Sequence, residues 1–324
     1  KVGILGTGSY VPEKIMTNDD LAKIVDTNDE WITTRTGIKE RRIASENEAT
    51  SDLAFCAAKK AINDAGIDKN EIDLIIVATM TPDHFTPSTA ALVQDKLGIK
   101  AAAFDISAAC TGFVYAFTTG YSFIKSGIYK KVLVIGAETM SRVTDWSDRG
   151  TCILFGDGSG AVVLGEVQTG GFCASHLVAD GSGACELIVP AGGSRKVVTV
   201  EALENKETYL QMNGREIFKF AVKVFPESVD DVLKQQNITA DDIDLFIPHQ
   251  ANIRIIESIA KRFKQPLDKF FVNLNKYGNT SAGSIPIALD EAIKEGKLKK
   301  GDKFVATGFG GGLTYGSILV ELSK

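Results

Sequence analysis

Cys110 stands in the stretch Asp105-Ile106-Ser107-Ala108-Ala109-Cys110-Thr111-Gly112, where an apolar run gives way to small residues. Ala101 to Ile106 reads as a buried strand. Phe113 to Ile124 is mostly apolar, lacks proline, and reads as a buried helix ending near Gly127. A cysteine where a strand turns into a helix lies beside free backbone N–H groups and the positive end of the helix dipole, which favour a thiolate. Small neighbours leave a substrate room to reach the sulfur. Covalent catalysis by a nucleophilic thiol is the chemistry on offer, and a buried structural cysteine is the alternative.

Candidates for the rest of a site are few, because the chain has only three histidines, His84, His176 and His249. His249 follows the apolar strand Leu245-Phe246-Ile247 and precedes a predicted helix from Ala251 to Phe263. It therefore emerges at a strand end, where α/β sheets bind ligands, although a lone histidine also serves as a hydrogen-bonded structural residue. Asn279 lies among small residues in Gly278-Asn279-Thr280-Ser281-Ala282 and reads equally as a turn asparagine. Gly308-Phe309-Gly310-Gly311-Gly312 follows the strand Phe304 to Ala306. It is either a flexible turn or a backbone that approaches a ligand and offers N–H groups to a developing oxyanion.

An internal repeat places these residues together. Ile67, Ile72, Asp73, Leu74 and Ile76 recur 171 positions later as Ile238, Ile243, Asp244, Leu245 and Ile247. Gly127, Lys130 and Lys131 match Gly296, Lys299 and Lys300 at an offset of 169, which carries Cys110 onto Asn279. Gly158 to Leu164 resembles Gly316 to Val320. So long a period excludes a solenoid and implies two similar α/β halves about a pseudo-twofold axis.

The remaining elements follow from local signals. Val2 to Leu5 reads as a strand entering a turn at Gly6-Thr7-Gly8, and with no G-x-G-x-x-G and with Pro12 following, dinucleotide binding is not expected. Thr17 or Asn18 caps a short helix. Asn28 caps another that holds Trp31 and Arg35 and stops at Gly37. The charged segment Ile38 to Glu48 reads as a surface loop. Thr50 or Ser51 starts an amphipathic, alanine-rich helix ending at Gly66. Ile72 to Thr79 and Lys131 to Gly136 are strands, Ser88 to Leu97 is a helix, and Gly156 to Gly160 is a tight turn before a strand Ala161 to Leu164.

Bulk properties narrow the class. The 324 residues are 44% hydrophobic and 24% charged, as in ordinary globular chains. No apolar run approaches the ~20 residues of a membrane span, and no secretory signal is visible. The first residue is Lys1, so an initiator methionine is expected just ahead of it. A net charge of −5 gives no broad attraction to nucleic acid. Five cysteines without C-x-x-C pairing argue against a disulfide framework or structural zinc and for a reducing cytoplasm.

Four motifs in order carry a resemblance: Ala109-Cys110-Thr111-Gly112, Pro248-His249-Gln250-Ala251-Asn252, Tyr277-Gly278-Asn279-Thr280-Ser281 and Phe309-Gly310-Gly311-Gly312. Together with Asp29-Glu30-Trp31, Arg35-Thr36-Gly37-Ile38 and Phe155-Gly156-Asp157-Gly158, they resemble β-ketoacyl-acyl carrier protein synthase III, the initiating condensing enzymes of bacterial fatty acid synthesis. The similarity runs from Gly3 to about Val320. It implies a thiolase-like α/β fold in five α-β-α-β-α layers, with duplicated halves at 1–168 and 169–324, in a homodimer. A Cys, His, Asn set separates this family from thiolases, with their second cysteine, and from elongating synthases, with two histidines.

The resemblance further implies a ping-pong reaction without metal or redox cofactor. Cys110 takes an acyl group from acyl-coenzyme A. Malonyl-acyl carrier protein then loses carbon dioxide, with His249 and Asn279 donating to the enolate, and the carbanion attacks acyl-Cys110. N–H groups of Cys110 and Gly311 would hold the tetrahedral oxyanion. Trp31 and Arg149 match residues that sandwich the adenine of coenzyme A, and Asn252 one that contacts its pantetheine arm. Phe85 matches a residue closing the acyl pocket across a dimer interface. Arg254, Lys261 and Arg262 on one predicted helix, with Lys219 and Arg215 preceding a neighbouring one, match carrier-protein docking positions. A polyketide starter synthase or a non-catalytic acyl-binding protein are the alternatives. Primer length and branching stay open, since a few pocket side chains set them.

Overall fold

A computed structural model describes residues 1–324. Strands β1 (Val2–Tyr10), β2 (Leu74–Ala78), β3 (Ala102–Ile106), β4 (Val132–Thr139) and β5 (Asp157–Glu166) form one sheet in the order β1-β5-β4-β2-β3. Strands β6 (Gly171–Ala179), β7 (Leu245–Pro248), β8 (Lys303–Gly310) and β9 (Thr314–Glu321) form a second in the order β6-β9-β8-β7. Both sheets run antiparallel, antiparallel, parallel from β1 or β6 inward. The repeat is thus one four-stranded topology used twice, with β3 added to the first.

Seven helices matter here: α1 (Asp29–Thr36), α2 (Thr50–Ala65), α3 (Thr89–Leu97), α4 (Gly112–Lys125), α5 (Gly214–Gln235), α6 (Ile253–Phe263) and α7 (Ser284–Lys294). α2 and α3 cover the outer face of the first sheet, and α5 and α6 that of the second. α4 and α7 lie between the sheets, which gives the five-layer thiolase-like arrangement. The central layer explains why these two helices are apolar. Phe113 and Phe117 of α4 are fully buried, each worth about 1.5–3 kcal/mol relative to exposure. No helix is long and apolar enough to cross a membrane.

Caps fall where the residue types place them. Asn28 accepts from the Trp31 N–H, and Gly37, at φ +81°, ends α1. Gly66, at φ +65°, ends α2.

Several local expectations are overturned. Gly6-Thr7-Gly8 is not a turn but the middle of β1. A Cβ at Gly6 would lie 2.3 Å from Ala65 N, and one at Gly8 2.4 Å from Ala61 N. These glycines and the α2 alanines let a helix backbone rest directly on a strand. Gly158 and Gly160 likewise lie inside β5, where a Gly160 Cβ would meet the Pro286 carbonyl carbon at 2.5 Å. The charged segment 38–48 holds a strand, Glu40–Ile43, paired with Lys14–Thr17. Within it Arg41 is completely buried, donating to Asn18 Oδ1 (2.9 Å) and the Ile153 carbonyl (2.8 Å). β3 is a half-exposed edge strand rather than a buried one, because nothing pairs with its outer side in the single chain.

The repeat register is also corrected. Ala109 and Ser281 share an unusual positive φ, +44° and +47°, at the starts of matching 3-10 turns 172 residues apart. Cys110 therefore corresponds to Ala282, not to Asn279. The offset falls to 169 at Gly127 and Gly296 because α4 has 14 residues and α7 has 11.

Candidate active site

Cys110 sits in the 3-10 turn Ala109–Thr111 that opens into α4. Thr111 Oγ1 donates to the Thr314 carbonyl (3.1 Å), and Thr314 Oγ1 lies 3.0 Å from the carbonyls of both Ala108 and Gly311, which share its one hydrogen. These bonds tie the cysteine turn to the glycine run between β8 and β9. At Gly310 a Cβ would lie 2.8 Å from Cys110 Cβ and 3.0 Å from its sulfur, so only glycine lets the strand back onto the cysteine. The Gly311 N–H donates to no acceptor within the protein.

Burial pushes the Cys110 thiol up to about 12, assisted by the nearby Glu138 carboxylate. Loss of solvent thus works on the sulfur against the end of α4, whose field favours a thiolate over the first turn.

β7 delivers His249. Its N–H continues the parallel ladder to the Thr307 carbonyl at 2.8 Å, and its Nδ1 lies 2.6 Å from Ser284 Oγ, the first residue of α7. Phe309 meets the ring edge-on at 5.3 Å between centroids. Burial alone lowers the imidazole to about 3, so His249 is neutral. His84 is exposed, and His176 bonds Ser228 Oγ at 3.1 Å; neither lines the cavity.

Asn279 is clamped by its backbone, donating to the Leu154 carbonyl (2.8 Å) and accepting from the Gly156 N–H (3.1 Å). Its Oδ1 accepts from the Ser281 N–H at 2.8 Å. That bond fixes which end of the amide is oxygen and leaves the NH2 as a donor.

Cys110, His249, Asn279 and Gly311 all line one cavity of about 750 Å³. Arg35, Arg215, Lys219 and Arg254 also line it, and no Asp or Glu does. In a chain of net charge −5 this is a local cationic lining. Asn252 lines it too, with its Oδ1 capping α6 by accepting from the Arg254 N–H at 2.9 Å. Arg215 and Lys219 lie within the first turns of α5 rather than before a helix, and Lys219 pairs with Glu216 at 2.6 Å.

Other expected residues lie elsewhere. Lys261 and Arg262 are exposed on α6 but do not line the cavity. Trp31 and Arg149 are neighbours beside it, the Arg149 guanidinium 4.8 Å from the indole centroid and Arg35 4.5 Å from it. With Arg149 directly on the indole, a ring enters between them only if the guanidinium lifts. Phe85 is 89% exposed and away from the cavity, which Met80 of the same loop lines.

Sequence reasoning missed three supporting residues. Glu138, completely buried at the end of β4, accepts from the Thr79 and Ser281 hydroxyls (3.0 Å each) and from the Thr81 N–H (3.0 Å). Burial raises it to about 7. A carboxylate ending the apolar run Val132–Ala137 was the available signal. Arg41 braces Ile153 beside the clamp on Asn279, and Ser284 meets His249. Neither is distinguishable from its neighbours by residue type.

Profiles for 3-oxoacyl-(acyl-carrier-protein) synthase III match residues 104–181, and for the C-terminal part of that family residues 233–322. The chain is 55% identical over 324 residues to the β-ketoacyl-(acyl-carrier-protein) synthase III of Caldanaerobacter subterraneus subsp. tengcongensis, covering 99% of this chain and 98% of that one. The crystal structure of 3-oxoacyl-(acyl-carrier-protein) synthase III from Aquifex aeolicus matches with a TM-score of 0.92 at 50% identity, over 99% of this chain and 100% of that one. The priming β-ketosynthase of the R1128 polyketide pathway matches at 0.91 but at 35% identity, over 99% and 96%. With more than half its residues shared with such a relative along nearly the whole of both, this chain belongs to the 3-oxoacyl-(acyl-carrier-protein) synthase III family.

Proposed function

We propose that the chain starts fatty acid synthesis by condensing an acyl-coenzyme A primer with malonyl-acyl carrier protein. The observation that carries this is one cavity holding a thiol, a neutral imidazole and an amide NH2, lined by cations. Cys110 attacks the acyl thioester, and its proton ends on the departing coenzyme A sulfur. The malonyl C–C bond then breaks, carbon dioxide leaves, and the electron pair moves onto the thioester oxygen, where His249 and Asn279 donate. The carbanion attacks acyl-Cys110. Backbone N–H groups of Cys110 and Gly311 hold the oxyanion, a donor of this kind being worth about 3 kcal/mol. The sulfur leaves and takes a proton from solvent, which restores the thiol.

In this reading, residues 1–168 supply the nucleophile and 169–324 the donors. No cofactor takes part. Trp31 and Arg149 hold the adenine of coenzyme A and Asn252 its pantetheine arm, while Arg35 of the cavity lining suits its phosphates. Arg254, Lys261 and Arg262 of α6, with Arg215 and Lys219 of α5, face the acidic carrier protein. A homodimer completes the acyl pocket, with the exposed Phe85 reaching into a partner. Five free cysteines suit a reducing cytoplasm. The test is intact-mass analysis against acetyl-, straight- and branched-acyl-coenzyme A, followed by malonyl-acyl carrier protein. Acylation at Cys110, then its discharge with carbon dioxide release, is expected. Stable acylation that malonyl-acyl carrier protein never discharges would leave only an acyl-binding protein.

A further inference from the structure

We propose that Ser284 is a positioning residue that holds His249 in the Nε2–H tautomer, making the imidazole a hydrogen-bond donor that cannot take the Cys110 proton. The proton count at one buried oxygen carries this. Ser284 and His249 are each 2% exposed, and Ser284 Oγ lies 2.6 Å from His249 Nδ1. The same oxygen accepts the Gln250 N–H at 3.4 Å. A hydroxyl has one hydrogen and two lone pairs. With one lone pair facing an N–H, its hydrogen has Nδ1 as its only nearby acceptor. Were Nδ1 to carry the proton instead, the oxygen would face two donors. Its own hydrogen would then be stranded in a dry site, an arrangement buried polar groups avoid.

Gln250 cannot drift out of this arrangement. Its amide donates to the Pro248 and Phe271 carbonyls (2.8 and 3.0 Å) and accepts from the Asn273 and Leu274 N–H groups (2.9 and 3.3 Å). Burial keeps the imidazole neutral, so one ring nitrogen bears hydrogen and the other does not. Nε2 has no partner within the protein, and His249 lines the cavity. Asn279 follows the same rule, its Oδ1 occupied by the Ser281 N–H and its NH2 left to donate. The second half of the chain thus presents two donors and no acceptor at these positions. Its consequence for the reaction rests on the function proposed above: His249 serves decarboxylation, and the Cys110 proton leaves by another route.

The experiment has two arms. In the first, protein labelled with ¹⁵N-histidine is examined by long-range ¹H–¹⁵N correlation, with His84→Gln and His176→Gln used for assignment. The expected pattern for His249 is a pyridine-type Nδ1 and a pyrrole-type Nε2, with Ser284→Ala shifting the ring toward a tautomer mixture. A pyrrole-type Nδ1 in the wild type overturns the proposal, whatever reaction the protein catalyses. In the second, Ser284→Ala should slow carbon dioxide release from malonyl-acyl carrier protein at least about tenfold, while acylation by acyl-coenzyme A stays within about twofold. Ser284→Thr, which keeps the hydroxyl, should recover most of the loss. Equal loss of both half-reactions in a variant that still unfolds cooperatively would also overturn it. Absence of decarboxylation in the wild type would defeat the proposed function and leave the tautomer result standing.

Discussion

Ala109 and Ser281 occupy the same place in two copies of one backbone device. Each adopts a left-handed conformation, opens a 3-10 turn and feeds a central helix, α4 or α7. Such a φ in a residue other than glycine typically costs 1–3 kcal/mol and persists where the surroundings enforce it. In the first copy the next residue is Cys110, and the turn delivers a sulfur to the cavity. In the second it is Ala282, buried and silent, and the polar residues around the turn act instead. Ser281 holds the Asn279 amide with its N–H and Glu138 with its hydroxyl, while Ser284 holds His249. A duplicated scaffold has been divided between nucleophile and support. Burial drives both copies toward neutral forms, raising Cys110 and Glu138 and lowering His249, and cations are confined to the outer lining.

The sharpest break between the copies is Cys110→Ser. A hydroxyl in that dry turn lacks a thiol's nucleophilicity, so acylation should fall by about 10³-fold or more. Transfer of labelled acetyl to the variant at the wild-type rate would remove Cys110 from the role. His249→Ala and Asn279→Ala should do the converse. Each is expected to cut carbon dioxide release by about 10²- to 10³-fold while acylation survives within roughly tenfold. Unimpaired release in both would mean that the second copy does not serve that step.

Glu138 joins the copies, and its variant sharpens the comparison through stability. Glu138→Gln places an NH2 among donors and should destabilise by about 2–4 kcal/mol. The native carboxyl is raised from 4.5 to about 7 by burial, so the folded state binds its proton more tightly than the unfolded chain. Its contribution is complete below about pH 4.5 and is lost as pH rises through about 7, by up to about 3 kcal/mol. Urea unfolding at pH 5 and pH 8 should show the gap between wild type and Glu138→Gln narrowing at the higher pH. An unchanged gap would place the Glu138 titration elsewhere.

The smallest effect is expected at the rim. Arg254→Glu should raise KM for malonyl-acyl carrier protein by about three- to tenfold and leave acylation by a small acyl-coenzyme A within twofold. Rising salt should raise the carrier's KM more than that of acyl-coenzyme A. Comparable loss of both half-reactions would point to a role inside the cavity instead.

Local signals determined much of this molecule by sequence alone. Asn28, Gly37 and Gly66 mark helix ends because capping depends on one residue and its own backbone. The apolar runs mark the inner strands and α4, and the repeat places a cysteine, a histidine and an asparagine at one end of two related sheets. The repeat carries Cys110 onto Asn279 only at an offset three residues from the true register, since α4 and α7 differ in length. Glycine is the ambiguous letter: it serves a turn or a close approach, and only the packing of α2 on β1 shows that Gly6 and Gly8 serve the second. Tertiary structure alone decided which charged residue of 38–48 is buried, because Arg41 depends on Asn18 and Ile153 together. It also decided the protonation of the site. A thiol, an imidazole and a carboxyl take their states from solvent exclusion and from partners 35 and 143 residues away in the chain, Ser284 for His249 and Ser281 for Glu138. Residue type fixes what a side chain can donate or accept, and only the fold fixes what it meets.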